Sequence, residues 1–353
     1  MSQLLETPVG GLTYAAAGVS IAAGDEAVER IKKVVAATNR AEVLGGIGGF
    51  GGLFALDTEK YRQPVLVASA DGVGTKLEIA RLLGRYDSIG IDLVAMLVDD
   101  LACVGAEPLF LLDYVAVGAL DPARLAEVVT GVAEGCRRAG AALLGGETAE
   151  HGGVMGPDDL DVAGFAVGVL ERGEELGPHR VRDGDVIVGF HSPGLRSNGY
   201  TLARRALLDR ESRLDEPAYE GATRTLGEEL LLPSVIYVPA ITALRDELAG
   251  ALHAAAHITG GGIVGNVVRA LPAHLDAVID MSSFETPEIF LEIQRRGAVS
   301  AHEMVRVFNC GLCMTVLLDA DGADAAVTIA RGAGVEASVV GAVTAGSGTV
   351  QLR

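Results

Sequence analysis

Apolar residues recur along this chain in two rhythms. Residues 24–39, GDEAVERIKKVVAATN, place them at helical spacing behind an acidic first turn, which predicts an amphipathic helix. Residues 64–69 form a β-branched run that predicts a strand, and it leads into a polar glycine turn at 71–74. Helices are predicted over 75–85 and 87–104, then a strand over 107–118. A further helix is predicted over 121–140, with Asp121 as its cap and Pro122 in its first turn. AALLGGETAE, ending at Glu150, reads as a strand that gives way to a glycine-containing loop, and 161–172 reads as another strand. The turn-rich stretch GEELGPHRVRDGD, residues 173–185, separates two domains, 1–173 and 174–353. Beyond it the pattern predicts a strand in DVIVGFHS and helices near 198–209, 226–231, 233–249 and 262–271. Strands follow in LDAVID, CMTVLL and ASVVGAV, with a helix over 321–333 between the last two. Strands and helices alternate throughout with no solenoid-length repeat, so the fold class is α/β in two domains.

Composition narrows the function classes. No apolar run reaches the ~18 residues of a membrane span. The opening MSQLLETPVGG lacks the basic start and apolar core of a signal peptide, so a soluble cytoplasmic protein is expected, with no membrane partner. The chain is 49% hydrophobic with mean hydropathy +0.35 and carries a formal net charge of −19. No basic stripe is visible, so nucleic acid is not an expected partner. An anionic ligand would need backbone N–H groups, a few cations and metal ions to offset the field of the whole chain. Lysine is scarce: Lys32, Lys33, Lys60 and Lys76 stand against 24 arginines. A lysine that persists suggests a need for a compact ammonium, which directs attention to Lys32 and Lys76. Cys310-Gly-Leu-Cys313 has the spacing of a zinc half-site, but no second pair completes it and an apolar run follows, so a buried structural role is expected.

The densest glycine lies in VLGGIGGFGGLF, residues 43–54. Gly46-x-Gly48-x-x-Gly51 matches a dinucleotide-binding fingerprint, which needs a preceding strand and a following helix. Here a helix precedes and a short Pro-broken segment follows, so that reading fails. A P-loop fails as well, because no Gly-Lys-Ser/Thr ends the run. The remaining readings are a mobile surface loop, or a loop that orders over a ligand. In the second case Gly45, Gly46, Gly48, Gly49, Gly51 and Gly52 bring N–H groups close to phosphate oxygens, with Phe50 as an apolar anchor.

Carboxylates stand in unusual places. In SIGIDLVAMLVDDLACVG, Asp92 and Asp99 share a helix face and Asp100 lies one step round. Pairing with arginines or capping of turns explains such acids; so does a cation, since adjacent carboxylates with phosphate oxygens suit Mg²⁺. Asp71, at a strand end, is followed by Gly72, Gly74, Thr75 and Lys76, an acid, flexible backbone, a hydroxyl and an ammonium within six residues. GGETAE repeats the design with Glu147, Thr148 and Glu150, and Asp113 interrupts the apolar strand LFLLDY. In the second half, Arg196, Ser197 and Asn198 precede one predicted helix, and His257, Thr259, Gly260, Gly261 and Gly262 precede another. Both suit phosphate or amide recognition, and Asn309 marks a strand entrance.

These segments, from YAAAGVSIAAGDEAVERIK through GGIGGFGGLF, DGVGTKL, GIDLVAMLVDDL, GGETAE, SNGYTL, HITGGG and FNCG, occur in order over nearly the whole chain. The chain thereby resembles the aminoimidazole ribonucleotide synthetase (phosphoribosylformylglycinamidine cyclo-ligase) family. The resemblance implies a two-domain fold with a C-terminal sheet packed with helices. It also implies a homodimer in which two N-terminal sheets join into a shared barrel with ATP near the interface. ATP and Mg²⁺ are implied as requirements. By position, Lys32, the glycine loop, Asp71, Thr75, Lys76, Asp100, Asp113, Glu147 and Thr148 would serve ATP, with Asp71, Asp100 and Glu147 on the metal. Ser197, Asn198, Thr259, Gly260, Gly261, Gly262 and Asn309 would face a ribonucleotide substrate. Lys32 and Asp100 would be catalytic with His257 as the proton-handling group; read from its residues alone, His257 is as readily a structural histidine. The implied activity closes formylglycinamidine ribonucleotide to 5-aminoimidazole ribonucleotide. Rival readings are another ATP-using relative, such as thiamine-monophosphate kinase or formylglycinamidine ribonucleotide synthetase, or a non-catalytic nucleotide-binding scaffold. Three departures stand out. Asp99-Asp100-Leu101 replaces a common Asn-Asp-Leu, Arg196 precedes Ser-Asn-Gly where His is common, and Leu312 replaces the glycine after Cys-Gly.

Overall fold

A computed structural model describes residues 12–208, 213–248 and 250–353. The opening MSQLLETPVGG and the ends of the helices predicted to 209 and 249 lie outside the described residues. Among the described residues no helix is long and apolar enough to cross a membrane.

The N-terminal half starts with α1 (Ile21–Ala36), a short hairpin of β1 (Val43–Leu44) and β2 (Leu53–Phe54), and β3 (Pro64–Gly72). Then follow α2 (Leu77–Leu83), α3 (Ile89–Cys103), β4 (Glu107–Val117), α4 (Pro122–Ala139), β5 (Ala142–Glu150) and β6 (Leu160–Glu171). Helix α1 begins three residues before the predicted start because the Ser20 hydroxyl accepts from the Ala23 N–H at 3.2 Å. Asp121 caps α4 as expected, accepting from the N–H groups of Ala123 and Arg124, and Gly140 ends it in the left-handed region. The four strands form one sheet in the order β3-β6-β4-β5, with β4 and β5 parallel across α4. Helix α3 is buried on every side apart from Asp100 and Cys103, the pattern of a core helix. It meets α4 at backbone distance: a Cβ on Gly90 would collide with the main chain at Val132.

The C-terminal half contributes β7 (Val186–His191), α5 (Tyr200–Leu207), α6 (Leu226–Leu230), α7 (Val238–Glu247), β8 (Leu252–His257) and α8 (Gly262–Val267). It continues through β9 (Leu275–Ile279), α9 (Glu288–Gly297), α10 (Ala301–Val307), β10 (Leu312–Leu318), α11 (Ala323–Gly332), β11 (Ala337–Ala345) and β12 (Val350–Leu352). Its six strands order as β12-β9-β11-β7-β10-β8, antiparallel except for β12 on β9. Helix α3 packs against β3 and β6 of the first sheet and reaches β8 and α7 of the second, so one apolar helix ties the halves together.

The chain differs from the sequence expectation in four places. GGETAE is not a loop: β5 runs straight through it to Glu150, paired in register with β4. Gly146 lies opposite Asp113, and a Cβ there would collide with the Asp113 carboxylate, so this glycine makes room and does not turn the chain. Residues 233–237 are irregular and α7 starts at Val238, with Pro239 in its first turn where a missing N–H does no harm. Helices α9 and α10 were not predicted, although Ser300 accepts from the Glu303 N–H, a capping pattern readable as Ser-x-x-Glu. The β1–β2 hairpin and β12 are two and three residues long, below what apolar periodicity resolves.

Candidate active site

The glycine run 45–52 forms the tip of the β1–β2 hairpin, with Gly45 and Gly48 at positive φ. Phe50 at its crest is fully exposed. Beneath the loop lies a cavity of about 630 Å³. Its apolar walls come from α1 (Val28, Ile31) and α4 (Leu125, Val129), and its floor from Leu143 and Leu144 of β5. Of the residues expected to serve a nucleotide, Gly46, Gly48, Gly49, Phe50, Gly51, Gly52, Asp113, Glu147 and Thr148 line this space. Gly45 stands at the start of the loop. Lys32 does not line the cavity; it lies one residue past Ile31 on α1, half exposed and paired with Glu29. Asp113 has no cationic partner among the described residues, and burial pushes its carboxyl up to about 7.

Asp71, Thr75, Lys76 and Asp100 stand apart from that cavity, at the seam between the two halves. Burial first, and the neighbouring Asp100 charge second among the raising causes, hold the Asp71 carboxyl above its ordinary range, while the Gly72 N–H it accepts at 2.7 Å lowers it. Thr75 meets Thr201 of α5, hydroxyl to hydroxyl at 3.1 Å. Lys76 is completely buried. Its ammonium pairs with Asp92 at 2.6 Å and donates to the Leu232 carbonyl at 2.6 Å. Asp92 also accepts from the Ser234 N–H and hydroxyl, at 2.9 and 2.6 Å. Burial pushes Lys76 down and Asp92 up, and their mutual attraction opposes both shifts.

Asp99 and Arg196 are two of the three departures noted in the sequence, and the structure joins them in one buried ion pair at 2.6 Å. The other Asp99 oxygen accepts from the Tyr237 N–H at 2.8 Å. Arg196 also donates to His257 Nε2 at 2.8 Å, and His257 Nδ1 lies 2.9 Å from Asp100. Of the four acids Asp71, Asp92, Asp99 and Asp100, two are therefore consumed by buried cations. The other two, Asp71 and Asp100, lack any Lys or Arg partner among the described residues.

The remaining predicted residues edge the same seam. Ser197 is buried with an unpartnered hydroxyl and Asn198 is half-buried just before α5. Thr259 to Gly262 form the turn into α8, which the Asn266 side chain holds by donating to the carbonyls of Thr259, Gly260 and Gly262. Asn309 faces inward, donating to the Gly194 carbonyl at 3.1 Å and accepting from the Gly311 N–H at 2.8 Å, so it shapes the turn that carries Arg196. Sequence reasoning missed Asn266, whose only signal was an amide inside an apolar helix. It also left the Asp99–Arg196 partnership open. Asp71, Asp100 and Glu147 do not cluster as three ligating groups within this chain. The group that does, among the described residues, is Asp185, His253 and Asp319, and there His253 Nδ1 already bonds Asp185 and Arg182 lies 3.5 Å from Asp319. Cys310 and Cys313 are buried, and burial raises both thiols, Cys310 to about 12, as an inert structural role requires.

Comparison with known proteins agrees with this architecture. The family profile "AIR synthase related protein, N-terminal domain" matches residues 56–170, and "AIR synthase related protein, C-terminal domain" matches residues 182–353. A phosphoribosylformylglycinamidine cyclo-ligase from Anaeromyxobacter sp. (strain Fw109-5) is 52% identical over 337 residues, covering 96% of this chain and 97% of its own length. Thiamine-monophosphate kinase from Stenotrophomonas maltophilia K279a superposes with a TM-score of 0.65 at 20% identity, over 92% of this chain and 95% of the other. Hydrogenase maturation protein HypE in complex with ATP superposes with a TM-score of 0.62 at 16% identity, over 93% and 89%. These two likenesses show a common fold; the identity carries the closer relationship, and on it the chain belongs to the AIR synthase related, phosphoribosylformylglycinamidine cyclo-ligase family.

Proposed function

We propose that this chain is an ATP-dependent cyclo-ligase of purine biosynthesis, converting formylglycinamidine ribonucleotide to 5-aminoimidazole ribonucleotide with release of ADP and phosphate. The observation that carries the reading is 52% identity to a cyclo-ligase over almost the full length of both chains. The formamide oxygen attacks the γ-phosphorus of ATP and the bond to the β-phosphate oxygen breaks, releasing ADP. The amidine nitrogen then attacks the activated carbon, phosphate leaves with the former formamide oxygen, and loss of a proton completes the ring.

The protein's part in such a reaction is positioning and charge stabilisation. The cavity under the glycine loop offers apolar walls for a purine base and unhindered N–H groups for phosphates. Asp71 and Asp100 fit a hard cation, because the Asp100 charge bears on Asp71 and neither acid has a Lys or Arg partner among the described residues. Mg²⁺ held there would supply positive charge to phosphate groups that extend from the cavity to the seam. Ser197, Asn198 and the Thr259–Gly262 turn lie on the seam that Asp100 borders and are assigned to the ribonucleotide. The division at residues 173/174 separates an ATP half from a substrate half.

A homodimer completes the reading. The face of the N-terminal sheet turned away from α3 exposes Leu66, Tyr114 and Phe165, between 40 and 62% accessible, an apolar surface suited to the matching sheet of a second copy in a shared barrel. A cytoplasmic location follows from the nucleotide substrates. The deciding assay supplies purified protein with Mg-ATP and formylglycinamidine ribonucleotide and follows ADP and imidazole product together. Equal yields of the two are expected. ATP cleavage with thiamine monophosphate and none with the amidine would overturn the reading.

A further inference from the structure

We propose that Arg196 and Asp99 are a positioning pair that locks His257 into a single tautomer, making the histidine a fixed donor to Asp100 and not a proton carrier. The geometry alone carries the tautomer; the link to turnover rests on the cyclo-ligase reading above.

Arg196 is 3% exposed and sits at φ 62°, a left-handed conformation that a non-glycine residue keeps only where its surroundings over-determine it. Those surroundings are specific. One guanidinium nitrogen donates to Asp99 at 2.6 Å, and Asp99 is itself held by the Tyr237 N–H. A second donates to His257 Nε2 at 2.8 Å and to the Cys313 sulfur at 3.3 Å. The Tyr237 ring lies 4.9 Å from the guanidinium carbon. The Asn309 side chain braces the turn on which Arg196 sits.

A guanidinium has only donors. A nitrogen 2.8 Å from it must therefore be an acceptor, so His257 Nε2 carries no hydrogen. The ring hydrogen is then on Nδ1, which faces Asp100 Oδ1 at 2.9 Å. His257 is itself only 5% exposed, with Nε2 occupied by Arg196, so that nitrogen has no route to a substrate proton. Asp100 is the opposite case, with a side chain 46% exposed. The chain of contacts Asp99–Arg196–His257–Asp100 thus runs from a sealed ion pair to an accessible carboxylate. It pins one Asp100 oxygen on a side chain that stays accessible and whose charge bears on Asp71. Orienting partners of this kind around a metal-facing carboxylate typically change affinity or activity by about 10–100-fold.

Two measurements test this. In ligand-free protein labelled with ¹⁵N-histidine, two-bond ¹H–¹⁵N spectra report which ring nitrogen bears hydrogen, with His257 assigned by the signal lost in His257→Asn. The wild type should show hydrogen on Nδ1 alone, and Arg196→Met, checked for a cooperative thermal transition, should release a mixture of tautomers. Hydrogen on Nε2 in the wild type overturns the proposal, whether or not the variant folds. In the cyclisation assay, His257→Asn retains an amide donor near the Nδ1 position and His257→Ala does not. We expect the Asn variant to turn over about tenfold faster than the Ala variant. Equal losses of about 10²–10⁴-fold in both, the signature of a missing proton carrier, overturn it. Absence of cyclisation by the wild type would instead overturn the cyclo-ligase reading and leave the tautomer result standing.

Discussion

Lys76→Met separates two roles for the one lysine that the sequence placed next to a phosphate-type turn. The ammonium is fully buried, 2.6 Å from Asp92 and 2.6 Å from the Leu232 carbonyl, and so joins the start of the α2 region to a loop of the other half. Methionine fills similar volume but strands the Asp92 charge and a carbonyl. Removing one partner of a buried ion pair destabilises by about 3–5 kcal/mol. At about 2.1 cal/mol/K of unfolding entropy per residue, the 353-residue chain has about 0.7 kcal/mol/K, so the Tm should fall by about 4–7 °C. The double variant Lys76→Met/Asp92→Asn removes both charges and should recover about 2 kcal/mol of that loss, since well-packed neutral replacements of such pairs are often tolerated. Scanning calorimetry of the ligand-free proteins gives the three values, and titration with a non-hydrolysable ATP analogue gives nucleotide affinity. Near-normal affinity in the double variant is expected. A Lys76→Met protein that melts within about 1 °C of the wild type but binds nucleotide more than tenfold more weakly would refute the anchor and return Lys76 to the phosphates.

Two further expectations concern the cavity. Burial raises the Asp113 carboxyl from 3.8 to about 7 in the folded chain, so folding takes up a proton between those values. Its stability contribution is therefore lost as pH rises through about 7, by at most about 4 kcal/mol, and Asp113→Asn should gain Tm over the wild type at pH 8.5 much more than at pH 4; an equal difference at both would contradict the burial argument. Hydrogen exchange of the amides in residues 45–52 should slow when Mg-ATP is added to the wild type; unchanged exchange would make the glycine tip a simple connector.

Much of the architecture was legible because local rules governed it. The Asp121-Pro122 start and Gly140 end of α4 depend on residues within one helix, and the structure reproduces both. Where the reading failed, the deciding atom lay on another strand or segment. Gly145-Gly146 looked like a turn because glycine usually turns chains, yet Gly146 is small in order to accommodate Asp113 on the neighbouring strand. Asn309 looked like a ligand-facing amide at a strand entrance, yet it serves the backbone of residues 194 and 195, more than a hundred positions earlier.

The carboxylates mark the division most clearly. The sequence by itself determined that too many acids lay in apolar surroundings for all to be solvated, and its ordered segments determined the family. It could not tell Asp92 and Asp99 from Asp100, because the partners stand on other segments: Lys76 lies ahead of α2, Ser234 is 142 positions from Asp92, and Arg196 is 97 from Asp99. Only the packing of α3 between the two sheets decided which acids meet buried cations and which stay open. Periodicity reports which face of a helix is apolar; which charge stands opposite that face is a property of the assembled fold.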